Sequence, residues 1–193
     1  MPKKIILLNG PPRSGKDTAA NFLHKHFMHA PWYSTKLKMS KPLKDACHAL
    51  YGIDHDERRW LEQNKEQPYD KLLGLSWRQA QIVMAEQWMK PTFGKDVLGR
   101  VMFRHIRQMA SNMTIISDSG FEEEAVPLVQ AFGPDNCLIV QLQREGCTFE
   151  GDSRSYWELP DVTRVEVNNQ FDLEMYEQQI VRIVSKWLQA PEN

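Results

Sequence analysis

Lys16 closes the stretch Gly10-Pro-Pro-Arg-Ser-Gly-Lys, whose G-x-x-x-x-G-K spacing fits a phosphate-binding loop. In that reading Gly10, Pro11, Pro12, Arg13, Ser14, Gly15 and Lys16 cradle a chain of phosphates with backbone N–H groups and the positive end of the following helix. Lys16 adds a point charge for the β- and γ-phosphates. The next position usually carries a Ser or Thr hydroxyl that reaches Mg²⁺; here it is Asp17, with Thr18 after it. A carboxylate is a hard ligand suited to Mg²⁺, directly or through water, so Asp17 and Thr18 are both candidate metal ligands. An Asp in the first turn of a helix is also favoured by the helix dipole whatever the function.

Phosphoryl transfer needs positioning and cations, with little covalent chemistry from the protein. Asp118 ends an apolar run and is a third candidate metal ligand. Arg144 ends the next such run and, with Arg154, is placed to bring guanidinium groups to the phosphates from a lid that excludes water. Arg78, Arg100 and Arg104 fall on predicted helices, and Arg100 and Arg104 share a face at i,i+4. Arginines there suit bidentate capture of an acceptor phosphate, with Lys38 and Lys44 the next candidates. Arg58 and Arg59 read as ordinary surface residues.

These groups need elements to hold them. Ile5 to Leu8 make one buried strand, and the spacing of Ala19, Ala20, Phe22, Leu23 and Phe27 predicts a helix from the loop to about Met28. A weak strand is expected at Tyr33 to Leu37. Ser40 is expected to cap a helix with Pro42 in its first turn, stopping at Gly52. Asp54-x-x-Glu57 and Ser76-x-x-Gln79 read as capping boxes, opening helices over 54–64 and from Trp77 to Met89, the latter halted by Pro91. Residues 65–75 read as a loop, and a further helix covers about Asp96 to Met109. Then come a strand at Met113 to Ser117, a helix from Phe121 to Phe132 and a strand at Cys137 to Leu142. The aperiodic stretch 145–160 reads as a loop or lid. A short strand at Arg164 to Asn168 and a helix capped by Asp172, ending near Leu188, complete the chain. Strands alternating with helices predict an α/β fold with a mainly parallel sheet, its ligand at the carboxyl ends of the strands.

The 193 residues suit one domain, large enough for a sheet covered on both faces. A formal net charge of −1, with no basic run, argues against a nucleic-acid polymer as partner. No run of apolar residues is long enough for a membrane span, and no signal peptide is legible. Cys47, Cys137 and Cys147 have no paired spacing and read as the reduced thiols of a cytoplasmic protein. His24, His26 and His29 do not share one helical face, so no metal site is expected of them.

The sequence resembles the bacteriophage-type deoxynucleoside monophosphate kinases, a branch of the phosphate-loop nucleoside monophosphate kinases. Arg13-Ser-Gly-Lys-Asp-Thr, with its unusual Asp17, is the most specific block. Pro42-Leu-Lys-Asp-Ala, Trp77-Arg78, the block near Gly94 to Arg100, Asp118-Ser-Gly-Phe-Glu-Glu-Glu, Arg144, and Asp152-Ser-Arg with Glu158-Leu-Pro follow in order. The resemblance implies a single kinase domain over 1–193. Its sheet would have about five strands with helices on both faces, an acceptor-binding helical insert over about 38–110 and a lid over about 144–160. It implies Mg²⁺-dependent transfer of the ATP γ-phosphate to a deoxynucleoside monophosphate, with Lys16, Arg144 and Asp118 at the transfer and Arg78 with Arg100 on the acceptor. It further implies a monomer or homodimer of the cytoplasm, the host's if the gene is a phage's. Two departures stand out: the Arg expected shortly after Asp118 is missing, with Gly120 and Glu122 in its neighbourhood, and Arg154 stands where a His is common. The rivals are a kinase of the same fold for another small acceptor, such as dephospho-coenzyme A or phosphomevalonate, and a nucleotide-dependent switch.

Overall fold

The computed structural model describes residues 2–170 and 172–190, which fall into two compact units: Met1–Met39 with Gly99–Asn193, and Ser40–Leu98. The first unit is built on the strands β1 (Lys4–Asn9), β2 (Ser34–Leu37), β3 (Met113–Ile116), β4 (Cys137–Gln143) and β5 (Thr163–Asn168). They form one sheet in the order β2-β3-β1-β4-β5, every pair parallel. The α/β fold with a mainly parallel sheet of about five strands is as the sequence predicts.

Every residue of β1 is buried, as a central parallel strand covered on both faces must be. Ile6 and Leu8 point to the face packed by α1 (Lys16–His26) and α8 (Leu173–Gln189), in a core with Leu23, Tyr176, Ile180 and Val184. Ile5 and Leu7 point to the opposite face by the two-residue alternation of a strand, where α7 (Glu122–Phe132) supplies Ala125 and Leu128. The helix α6 (Val97–Gln108) crosses from one unit to the other. Its Gly99 lies so close to the Glu124 carbonyl of α7 that a Cβ would overlap it.

The second unit is helical: α2 (Lys41–Leu50), α3 (His55–Gln63), a 3₁₀ turn (Asp70–Leu72), α4 (Trp77–Ile82), a π-helical segment (Val83–Met89) and α5 (Lys90–Phe93). Both predicted capping boxes form, on Asp54 and on Ser76. Trp77 is fully buried, stacked on His48 at 4.8 Å and 8°. Its indole N–H donates to Glu62 Oε1 at 2.9 Å, and Lys44 Nζ reaches the same oxygen at 2.7 Å.

Three expectations need correction here. The helix from Trp77 does not stop before Pro91 but runs through it to Phe93. The π segment accounts for this: the Lys90 N–H bonds to Ala85 O, one residue further back than an α-helix would allow. The widened turn lies just ahead of a residue that lacks an N–H and whose ring would crowd an ordinary helix. Ser40 does not cap α2 with its side chain; it adopts helical angles of φ −72° and ψ −9°. The first helix is also shorter than predicted, ending at His26.

Candidate functional site

The phosphate loop turns sharply at two points. Arg13 has φ 65° and Gly15 has φ 99°, left-handed conformations of the kind found in anion-binding backbone nests. Gly15 suits this conformation, and a Cβ there would also strike Asn169 Nδ2. A Cβ on Gly10 would lie 2.7 Å from both Leu142 O and Ser14 Oγ. The N–H groups of Lys16, Asp17 and Thr18, in the first turn of α1, have no partners within the helix. Pro11 and Pro12 carry no N–H, which corrects the expectation that the whole loop donates. Pro11 instead accepts, its carbonyl taking bonds from Ser14 N at 3.3 Å and Lys16 Nζ at 2.6 Å.

Lys16 Nζ also donates to Gly10 O at 2.7 Å, so its ammonium is folded back into the loop. Burial pushes its pKa down to about 8; Arg154 pushes the same way, while Asp17, Asp118 and Asp152 pull it back. Asp17 lies beside it, accepting from Ser117 Oγ at 2.9 Å and from Lys38 Nζ at 3.1 and 3.3 Å on its two oxygens. Burial alone would raise the Asp17 pKa, but the bonds from Lys38 and Ser117 and the two lysine charges hold it below the usual value. Asp118 Oδ1 accepts the Met39 N–H at 2.5 Å, tying the end of β3 to the end of β2.

From the other side of the sheet, Arg144 Nη1 donates to Arg13 O at 3.3 Å. Arg154 pairs with Asp152, Nε to Oδ1 at 2.8 Å and Nη2 to Oδ2, which raises its pKa. Its aliphatic stem lies on Gly120, where any Cβ would collide with it. Gly120, near which the resemblance leads one to expect an arginine, is thus covered by the stem of one that arrives after β4. Four residues behind the loop escaped the sequence reading. Asn169 Nδ2 donates to Ser14 O at 3.0 Å and Tyr176 Oη to Gly15 O at 3.2 Å. Asn9 Nδ2 holds Ser119 O at 3.0 Å and Ser155 O at 3.1 Å, and Ser117 holds Asp17. Strand-end and helix-face polar residues are the only sequence signal for them.

The structure therefore brings the loop, Lys38, Asp118, Arg144 and Arg154 to the carboxyl ends of one sheet. Arg100 and Arg104 are exposed on α6. In the helical unit, Arg78 is exposed in the first turn of α4, its Nε 2.6 Å from Glu66 Oε1, and Lys44 is engaged with Glu62.

A phosphate chain fits the loop on two counts: the first-turn N–H groups of α1, which no helical carbonyl takes, and a buried Ser14 hydroxyl without a hydrogen-bond partner. Mg²⁺ fits as a shared ligand. Among the described residues no three His, Cys, Asp or Glu side chains cluster as a cage, so Asp17, Thr18 or Asp118 would hold it together with phosphate oxygens and water.

The five-stranded parallel sheet with its glycine loop after β1 is an α/β fold. It is shared with APS kinase of Mycobacterium tuberculosis. The complex of that protein with AMPPNP and APS superposes with a TM-score of 0.51 at 12% identity, over 95% of this chain and 98% of that one. A cysteine-to-alanine mutant of the same kinase gives 0.50 at the same identity and coverage. At such identity the likeness is one of fold. The sequence matches no protein-family model and no curated protein.

Proposed function

We propose that this protein is a Mg²⁺-dependent kinase that transfers the γ-phosphate of ATP to a deoxynucleoside monophosphate, giving the diphosphate and ADP. The observation that carries the reading is the Lys16 ammonium, buried in its loop and flanked by Arg154 and by Asp17 with its bound Lys38. Folding a part-buried ammonium back onto its own loop carbonyls gains little for the core; it suits a polyanion that replaces those carbonyls as the lysine's partner. The deoxynucleotide acceptor rests on the resemblance of Arg13-Ser-Gly-Lys-Asp-Thr and the later blocks.

In this mechanism the N–H groups of residues 13–18 bind the donor phosphates and Lys16 bridges the β- and γ-groups. Arg144 and Arg154 close on the transferring group from the segment 144–160, which acts as the lid. Asp17 or Thr18, with Asp118, would hold Mg²⁺, which supplies charge neutralisation at the phosphate oxygens. Arg78 with Arg100, from the acceptor-binding region of about 38–110, grips the acceptor phosphate; Arg104, Lys38 and Lys44 are the further candidates. No general base is needed, because the acceptor oxygen is already ionised. The enzyme is placed in the cytoplasm, as monomer or homodimer, with small nucleotides as its partners. A coupled ADP-release assay over the full set of ribo- and deoxynucleoside monophosphates tests this. Turnover with one or more deoxynucleotides is expected; turnover only with dephospho-coenzyme A or phosphomevalonate reassigns the acceptor. Hydrolysis without any acceptor would make the protein a switch.

A further inference from the structure

We infer that Lys38 is a second lysine on the γ-phosphate and that Asp17, held by Ser117, is the residue that positions it. The inference rests on the ATP-binding half of the reading above. Asp17 stands where phosphate loops usually carry a hydroxyl, so this chain has placed a negative charge beside a polyanion site. Lys38 cancels it: its ammonium lies 3.1 Å from Asp17 Oδ1 and 3.3 Å from Oδ2, while Ser117 Oγ fixes Oδ1 from behind at 2.9 Å. The pair is not there for stability. The Lys38 and Asp17 side chains are 50% and 71% exposed, and ion pairs in water contribute little to folding.

Its place in the fold gives it a use. Lys38 follows β2, Ser117 follows β3, and Asp17 is in the helix turn fed by β1, three adjacent strands of the sheet. Ligands of open parallel sheets bind at these carboxyl ends. Arg144 and Arg154 follow β4, on the other side of β1. A γ-phosphoryl group above the loop is thereby met by arginines from one side and by Lys38 from the other. In the transfer an acceptor oxygen forms the new bond to phosphorus while the bond to the β–γ bridging oxygen breaks and leaves its electron pair there. No proton has to move. Lys38 offsets the repulsion between the two anionic groups as they close, a contact that strengthens along the reaction. Asp17 is a positioning residue for it.

Calorimetric affinities for ATP and for ADP at saturating Mg²⁺ test this in wild-type protein, Lys38→Met, Lys38→Arg, Asp17→Asn and the Asp17→Asn/Lys38→Met double variant. The ratio of ATP to ADP affinity is the readout, because a general change of charge moves both ligands together. Lys38→Met is expected to lower that ratio roughly ten- to a hundredfold, as loss of a charge-assisted hydrogen bond does. Lys38→Arg should restore most of it. Asp17→Asn should lower it as well, and should add nothing in the Lys38→Met background. A ratio unchanged in Lys38→Met overturns the inference. So does an Asp17→Asn protein whose ratio at saturating Mg²⁺ equals that of the wild type, which would return Asp17 to the metal. Wild-type protein that turns over no monophosphate would sink the proposed acceptor without touching this result, since the ATP-to-ADP comparison needs none.

Discussion

Lys16 holds its proton at neutral pH by a narrow margin. With a pKa of about 8 it is neutral in much of the unliganded protein above that pH, yet a bound triphosphate favours the ammonium. Nucleotide binding above pH 8 should therefore take up a proton, and affinity should fall by up to about tenfold per pH unit there. Calorimetry in buffers of different ionisation enthalpy measures the uptake; none at pH 9 would mean that the phosphates lie away from the amine. The folding contribution has the opposite sign. The folded pKa is depressed from 10.5, so charging this group costs stability below pH 8, and the cost disappears as pH rises toward 10.5. Lys16→Ala should cut kcat by several orders of magnitude in a protein that stays folded, with a melting temperature at neutral pH no lower than wild type. At this scale the sequence shows whatever a local pattern carries. Lys16 and Asp17 are legible because seven consecutive positions specify a loop. Ser117, Asn169 and Tyr176 are not, since each reaches the loop from a residue a hundred or more positions away.

Elements were legible where hydrophobic period and caps agree, and failed where one residue type was given too much weight. The two capping boxes and the buried strands form as their patterns demand, whereas Pro91, a stop signal by residue type, is absorbed by a π turn. Close approach between elements is equally hidden, and glycine marks two cases. Gly99→Ala would drive a methyl into the Glu124 carbonyl, backbone against backbone, and should destabilise by about 1–3 kcal/mol in chemical denaturation. Gly120→Ala meets only the stem of Arg154, which can move aside. It should spare the melting temperature and lower kcat by displacing the guanidinium. A Gly120→Ala enzyme of wild-type rate would mean that Arg154 takes no part in transfer.

For the molecule as a whole, the helical unit should be the more sensitive to acid. Glu62 is held at about 2: burial alone would raise it, but the bonds from Lys44, Trp77 and Lys65 outweigh that. Glu57 is held at about 2 by bonds from Lys71, Tyr69 and the Asp54 N–H. Both lie in Ser40–Leu98. Their contributions are present above the unfolded value of 4.5 and are lost as pH falls toward 2. Hydrogen exchange at pH 3 should show α3 and α4 opening before the sheet; loss of both at once would contradict this. The same unit carries Arg78. Arg78→Ala should lower kcat/KM for the monophosphate by one to two factors of ten, with ATP affinity unchanged and Arg58→Ala silent in both assays.

The strand order also sets a timetable for the chain as it is made. The glycine loop precedes every partner of β1 in the chain, and β1 has no neighbour until much later: Lys4 pairs with Met113, and Ile5 with Thr114 and Cys137. The helices of Ser40–Leu98 are complete before either partner strand has been synthesised. A nascent chain halted ahead of β3 therefore carries its whole phosphate signature and no sheet to hold it open. The sheet that frames the loop is complete only with the second half of the polypeptide, so on the proposed function a chain halted earlier should bind no nucleotide.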